Sequence, residues 1–277
     1  MLSLSPDQII ASLQALPPEA VLLLLLLFCF LAILAMLRLF GEAGLYVYIV
    51  IAIIGANLQV MKQVQFPYLA EAGGFLHLPA FGSPVALGTV LFSSTFLCTD
   101  ILTEHFGRRV ARRAVLIGFA GYLIWTGLVV LTLGFRPMTG AEAGEGLAWA
   151  LGNHDALAAL YTPAPALFAA GMVAYLVSQF HDIWIFRLIG VMTRGRHLWL
   201  RNNASTMISG LVDNTIFSVL AWVVFAAQPM AWQPLVFTFI LGTYVLRVAV
   251  AALDTPFLYL ARFAIHPQTF RLPEQYE

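Results

Sequence analysis

Lysine occurs once in these 277 residues, as Lys62, and charged side chains of every kind make up only 10%. A soluble domain carries about 25% charged residues, so most of this chain cannot face water. Cysteine is equally scarce. Cys29 and Cys98 lie far apart in apolar runs, which excludes a CxxC pair or a disulfide framework and makes them small packed hydrophobes. Net charge is zero, so there is no general basic signal for binding nucleic acid. The chain also lacks HExxH, paired His/Cys spacing for zinc, GxSxG and a Walker A run. Those absences argue against a zinc site, a serine-hydrolase elbow and ATP hydrolysis by a P-loop. No metal, cofactor or catalytic residue is expected. There is no strand pattern, low-complexity tract or second domain.

What the chain does have is apolar length. It is 61% hydrophobic with mean hydropathy +0.87. A membrane-crossing helix needs about 20 mostly apolar residues, and seven segments qualify, near 20–38, 43–62, 82–105, 110–134, 164–187, 205–227 and 234–256. The first is nearly pure leucine and alanine up to Arg38 at its end, and reads as lipid-facing. No basic residue precedes it and no small-residue cleavage site follows, so it does not read as a signal peptide. The expected fold is an all-α integral membrane bundle: six core transmembrane helices plus one extra N-terminal helix. The expected divisions are 1–42, a core of 43–262 and a tail of 263–277. Gly107 reads as a helix stop, and Pro163 and Pro165 open the fifth segment. The long loop 135–162 has room for a short interfacial helix near 141–151.

Loop charges set the expected orientation. Arg108, Arg109, Arg112 and Arg113 follow the third segment; Arg187, Arg194, Arg196 and Arg201 surround the fifth-to-sixth loop; Arg262 and Arg271 follow the seventh. The alternate loops are acidic or neutral. The positive-inside rule then places the C-terminus in the cytoplasm and, with seven spans, the N-terminus outside. The acidic, lysine-free stretch before residue 20 agrees.

Ionisable groups inside a span cost about 2.5–3.5 kcal/mol at the centre on insertion scales, and so mark function by default. Four clusters stand out. Asn57, Gln59, Lys62 and Gln63 end the second segment, the last three at helical i, i+3, i+4 spacing; the competing reading is a lysine snorkelling to the interface. Asp100 and Glu104 lie one turn apart in the third, where Glu104 could instead pair with Arg108. Ser178, Gln179 and Asp182 share a face of the fifth. Arg201, Asn202, Asn203, Ser205 and Thr206 open the sixth, with Asn203 or Ser205 as a candidate cap, and Asp213 and Asn214 follow deeper. In the seventh, Arg247 is a candidate counter-ion for Asp213 or Asp182, with Asp254 two turns on. The spacing Ser178-x-x-x-Asp182-x-x-Ile185-Phe186 recurs at Ser209-x-x-x-Asp213-x-x-Ile216-Phe217, which shared composition explains as well as a repeat does.

Carboxylates, amides and a cation in an apolar, aromatic-rich bundle suit a planar nucleobase-like solute. A carboxylate can take the amidine edge of a guanine, and an amide or helix N-terminus its carbonyl. Phe180, Trp184 and Phe186 are candidate stacking rings. Sugars or amino acids could use much of the same set.

Several blocks resemble the queuosine precursor transporter (VUT) family. They are Ala56-Asn57-Leu58-Gln59-Val60; Thr99-Asp100-Ile101-Leu102-Thr103-Glu104-His105-Phe106-Gly107 with Ala111-Arg112-Arg113; Ser178-Gln179-Phe180-His181-Asp182-Ile183-Trp184-Ile185-Phe186; and Trp199-Leu200-Arg201-Asn202-Asn203-Ala204-Ser205-Thr206 with Asp213-Asn214. They fall in order over 44–262. The resemblance implies a multi-pass inner-membrane importer of 7-deazaguanine precursors, cyano or aminomethyl, for salvage of the tRNA base queuosine. It also implies distant kinship with the substrate-binding subunits of energy-coupling-factor vitamin transporters. The extra N-terminal run departs from the family core. The expected substrate-binding residues are Asn57, Gln59, Lys62, Asp100, Glu104, Gln179, Asp182, Asn202, Asn203, Thr206 and Asp213, with Asp100 or Asp182 on the amidine edge. Arg201, Asn214 and Arg247 are expected to be structural or gating, the Arg247–Asp213 pair among them. The expected partners are the small planar solute, membrane lipid and either a separate energising module or a second copy. Two alternatives stay open: a subunit for another vitamin served by an ATPase module, and an intramembrane enzyme using the carboxylates.

Overall fold

In the computed structural model, residues 5–68, 70–71, 84–161, 165–226 and 228–265 are described. A capped surface helix, α1 (Pro6–Gln14), precedes the first long one. α2 (Pro18–Phe40) and α3 (Glu42–Gln59) form a hairpin about Gly41, whose φ of 60° favours glycine. A two-residue antiparallel ladder, β1 (Gln63–Val64) with β2 (Val85–Ala86), then brings the chain back. α4 (Gly88–His105) and α5 (Arg108–Leu133) meet at Gly107, whose φ is 91°. α6 (Gly140–Ala143) and α7 (Asn153–Tyr161) occupy the long loop. α8 (Pro165–Met192), α9 (Leu198–Val224) and α10 (Trp232–Ala264) complete the bundle.

Each of the seven expected segments is a helix of at least 18 residues. Among the described residues, five of them, α2, α3, α5, α9 and α10, are long and apolar enough to cross a membrane by length and composition. The protein is an all-α membrane protein. α4 explains its own exception. It touches all six other long helices, and thirteen of its 18 residues are buried, among them Ser93, Ser94, Thr95, Thr99 and Asp100. A helix with no lipid-facing side is free to be polar, provided its groups find partners inside. Hydroxyls answer locally: Thr99 and Thr103 donate back to carbonyls one turn earlier.

Several expectations change. α2 is one-sided rather than wholly lipid-facing: Leu26, Cys29, Phe30, Ile33 and Leu37 are buried, while Leu24, Leu27, Phe28 and Leu31 are exposed. It packs on α3, α4 and α10, with the Phe30 ring 4.8 Å from that of Phe257. The β1–β2 ladder was not foreseen, because two residues are too short for any period. α6 and α7 replace the single short helix expected near 141–151. α9 begins at Leu198, not 205, so neither Asn203 nor Ser205 caps it; both donate to carbonyls of the preceding turn. Pro165 opens α8, whereas Pro163, Arg271 and the tail beyond 265 lie outside the described residues.

Both inner ends of the last hairpin are wound as π-helix, Leu220–Val224 in α9 and Leu235–Gly242 in α10. Such windings concentrate at functional sites, and these two flank the cavity described next.

Candidate substrate cavity and buried carboxylates

A cavity of about 360 Å³ opens at the end of the bundle where α3 finishes and α4 starts. That is within the usual range for a small-molecule site, about 300–1,000 Å³. Aromatic rings form much of its wall: Phe92 from α4, Tyr175 from α8, Phe217 and Trp222 from α9, and Phe239 from α10. Phe92 and Tyr175 meet edge-on at 5.8 Å, and Trp222 and Phe239 tilt together at 5.2 Å. Asn57, Thr89, Asn214, Ser218 and Thr243 add polar groups.

Asp213 and Arg247 also line this cavity. The Arg247 Nη2 donates to Asp213 Oδ2 at 2.6 Å, and Ser178 donates to the other carboxylate oxygen at 2.9 Å. The guanidinium carbon lies 5.2 Å from the centroid of the Phe92 ring, so its flat side is held by a ring. Its Nε and Nη1 are buried without a hydrogen-bond partner, and so is Trp222 Nε1. Three donors at one cavity therefore lack acceptors.

The other sequence candidates sort by depth. Asp100 and Asp182 are fully buried, away from the cavity wall. Asp100 Oδ2 accepts from Thr206 at 3.5 Å. Gln179 bonds Thr95 and Thr99 at 2.8 and 3.1 Å, tying α8 to α4. Asn202 donates to Asp254 Oδ1 at 2.7 Å, and Asn203 to Thr255 at 2.7 Å, tying α9 to α10. Glu104 takes a two-pronged salt bridge from Arg201 at 2.6 and 2.9 Å, and the guanidinium also covers the Phe186 ring. Asn214 donates to Ile240 O and Thr243. From the cavity inward, the polar groups thus form three levels: Asp213–Arg247, then Asp100, Asp182 and Asp254, then Glu104–Arg201.

Two expectations do not survive the geometry. α3 ends at Gln59, so Gln59, Lys62 and Gln63 do not share a helical face, and Lys62 is exposed outside the cavity. Of the rings expected to stack, Phe186 is buried under Arg201 and Trp184 is half exposed; neither they nor Phe180 line the cavity.

Residues 86–261 match the family described as "Putative vitamin uptake transporter". The chain belongs to this transporter family. It is also 29% identical over 235 residues to the "Probable queuosine precursor transporter" of Bacillus subtilis (strain 168), a match covering 84% of this chain and 90% of that protein. No solved structure matches it. The family member described here is thus a multi-pass membrane transporter of a small molecule and not an enzyme.

Proposed function

We propose that this transporter imports 7-deazaguanine precursors of queuosine, such as the cyano and aminomethyl bases, and holds them in the aromatic cavity. The observation that carries the reading is the Asp213–Arg247 pair set among Phe92, Tyr175, Trp222 and Phe239. Rings offer flat faces for a fused bicyclic base. The carboxylate of Asp213 keeps lone pairs for an amidine edge, and the unpartnered donors of Arg247 and Trp222 suit its carbonyl and ring nitrogens. This moves recognition from Asp100 or Asp182 to Asp213, the one aspartate on the wall. The name of the Bacillus relative supports the choice of solute.

Orientation follows from charge. The cavity end carries Lys62, the sole lysine, whereas Arg108, Arg109, Arg112, Arg113, Arg194 and Arg196 gather at the opposite end. The positive-inside rule turns the cavity outward and the C-terminus into the cytoplasm, in a bacterial-type inner membrane. Helices α3–α10 then form the transport core, with α2 as an added span.

The test is uptake of labelled 7-cyano-7-deazaguanine into cells unable to make queuosine. Uptake is expected only when the transporter is present. Loss of one stacking ring is worth about 1–3 kcal/mol, so Trp222→Ala at normal expression should cut uptake by about tenfold. Unchanged uptake in both Trp222→Ala and Asp213→Asn overturns the site; no uptake by the unaltered protein overturns the solute. A second reading, a subunit for another vitamin energised by a separate ATPase, is favoured by the family's description, and predicts uptake only when that module is co-expressed.

A further inference from the structure

Beneath the cavity, Asp100 of α4, Asp182 of α8 and Asp254 of α10 are each fully buried. Asp182 and Asp254 both act electrostatically on Asp100. Five buried oxygens of this layer have no hydrogen-bond partner: Asp100 Oδ1, Asp182 Oδ1 and Oδ2, Asp254 Oδ2, and the amide oxygen of Asn202. All five are acceptors. Asn202 belongs to the layer because its own NH₂ is spent on Asp254, so its orphan oxygen is an observation separate from the carboxylates.

The hydroxyls of Ser205 and Ser209 on α9 and the carboxyl of Asp100 face Asp182. The Ser205 hydroxyl donates to Asn202 O, and Ser209 pairs with His181 Nδ1 at 3.0 Å, a contact in which either atom can be the donor. The charged and titratable groups on the helices packed here include Cys98, Glu104 and His105 of α4, Tyr175, His181 and Arg187 of α8, Arg201 and Asp213 of α9, Tyr244, Arg247, Tyr259 and Arg262 of α10, Glu19, Cys29 and Arg38 of α2 and Glu42, Tyr46 and Tyr48 of α3. Arg201 grips Glu104 and Arg247 grips Asp213. Among the described residues no three metal-ligating side chains converge closely enough to hold an ion. A proton needs only two oxygens, and a protonated carboxyl is both the donor this layer lacks and the relief for mutually repelling acids.

We propose that Asp100, Asp182 and Asp254, with Asn202, form a proton-binding site that couples solute entry to proton entry. The site touches the cavity through Asp213: Ser178, which donates to Asp213, lies one turn from Asp182 on α8. A proton from the cavity side enters the acid layer through this floor and leaves toward Glu104–Arg201 at the other end. The proposal rests on the transport role and not on which solute is carried.

Two measurements on reconstituted protein test it. The first is accumulation of labelled 7-cyano-7-deazaguanine in proteoliposomes with and without an inward proton gradient, and with an inward sodium gradient. A gradient of two pH units is expected to raise uptake at least tenfold, and the with-to-without ratio should fall to about one in Asp182→Asn and in Asp254→Asn, each checked for folding by thermal unfolding. The second needs no solute: the infrared carbonyl band of a protonated carboxyl should appear and disappear as the pH is cycled, and be diminished in either variant. If the base is not transported but the band titrates and depends on these aspartates, the solute assignment fails and the proton site stands. A response to sodium but not protons, an unaltered ratio in both variants, or the absence of a titrating band overturns the proposal.

Discussion

Arg247 is the residue whose partner is most constrained. A lone arginine in a span must meet an anion, and the candidate anions in reach by sequence were Asp213 and Asp182; the 2.6 Å bond falls to Asp213. Removing one member of a buried ion pair costs about 3–5 kcal/mol because the other is stranded. Arg247→Met should therefore lower thermal stability in detergent by about that amount, and Arg247→Met with Asp213→Leu should recover part of the loss. At the surface, Glu142 behaves differently. Arg136, then the backbone and hydroxyl of Thr139, hold its carboxyl below the usual range. A lowered carboxyl pKa means that this clamp of the α6 turn is complete above the ordinary value and is lost as pH falls through the lowered one. Side-chain NMR of labelled glutamate should find Glu142 titrating below the other glutamates, and Arg136→Gln should move it up. Residue identity was legible in the sequence where a charge demanded a partner. The cavity rings were not: Phe92, Phe217, Trp222 and Phe239 are ordinary members of a chain that is 13% aromatic, and only three dimensions select them.

Among elements, the end of α3 shows where periodicity stops being informative. Nothing in the run through Gln63 breaks the helical spacing, yet the helix closes at Gln59 because the returning strand and the start of α4 press against it. An added Cβ at Gly88 would stand 2.2 Å from the Ala56 carbonyl oxygen and 2.9 Å from the Val60 nitrogen. Both are backbone atoms and cannot swing aside. Overpacking of this kind costs about 1–3 kcal/mol, so Gly88→Ala should destabilise the fold measurably, whereas Gly127→Ala, with nothing within 4 Å, should not. The long helices themselves were legible in the sequence, since stretches of 18 or more mostly apolar residues have few other uses, and five of them are apolar enough to cross a membrane among the described residues. Their interior depth was not, which is why Asp100 and Asp182 were expected on the cavity wall and lie beneath it.

For the whole molecule, the distribution of arginines gives a direct prediction. With Cys29 and Cys98 replaced by Ala, a cysteine introduced at Tyr68, exposed at the cavity end, should react with an impermeant maleimide on intact cells. One at Met192, exposed at the arginine-rich end, should react only after the membrane is opened; the reverse pattern would invert the orientation. The enclosure of α4 has a consequence for biogenesis. A helix carrying Asp100, Glu104 and a ladder of hydroxyls partitions poorly into lipid on its own. During synthesis it must wait at the insertion machinery, sheltered by α2 and α3, until α8, α9 and α10 arrive to wall it in. A nascent chain halted soon after α4 should therefore hold that segment loosely or leave it outside the bilayer, and the last three helices act on the fourth as a late, intramolecular chaperone.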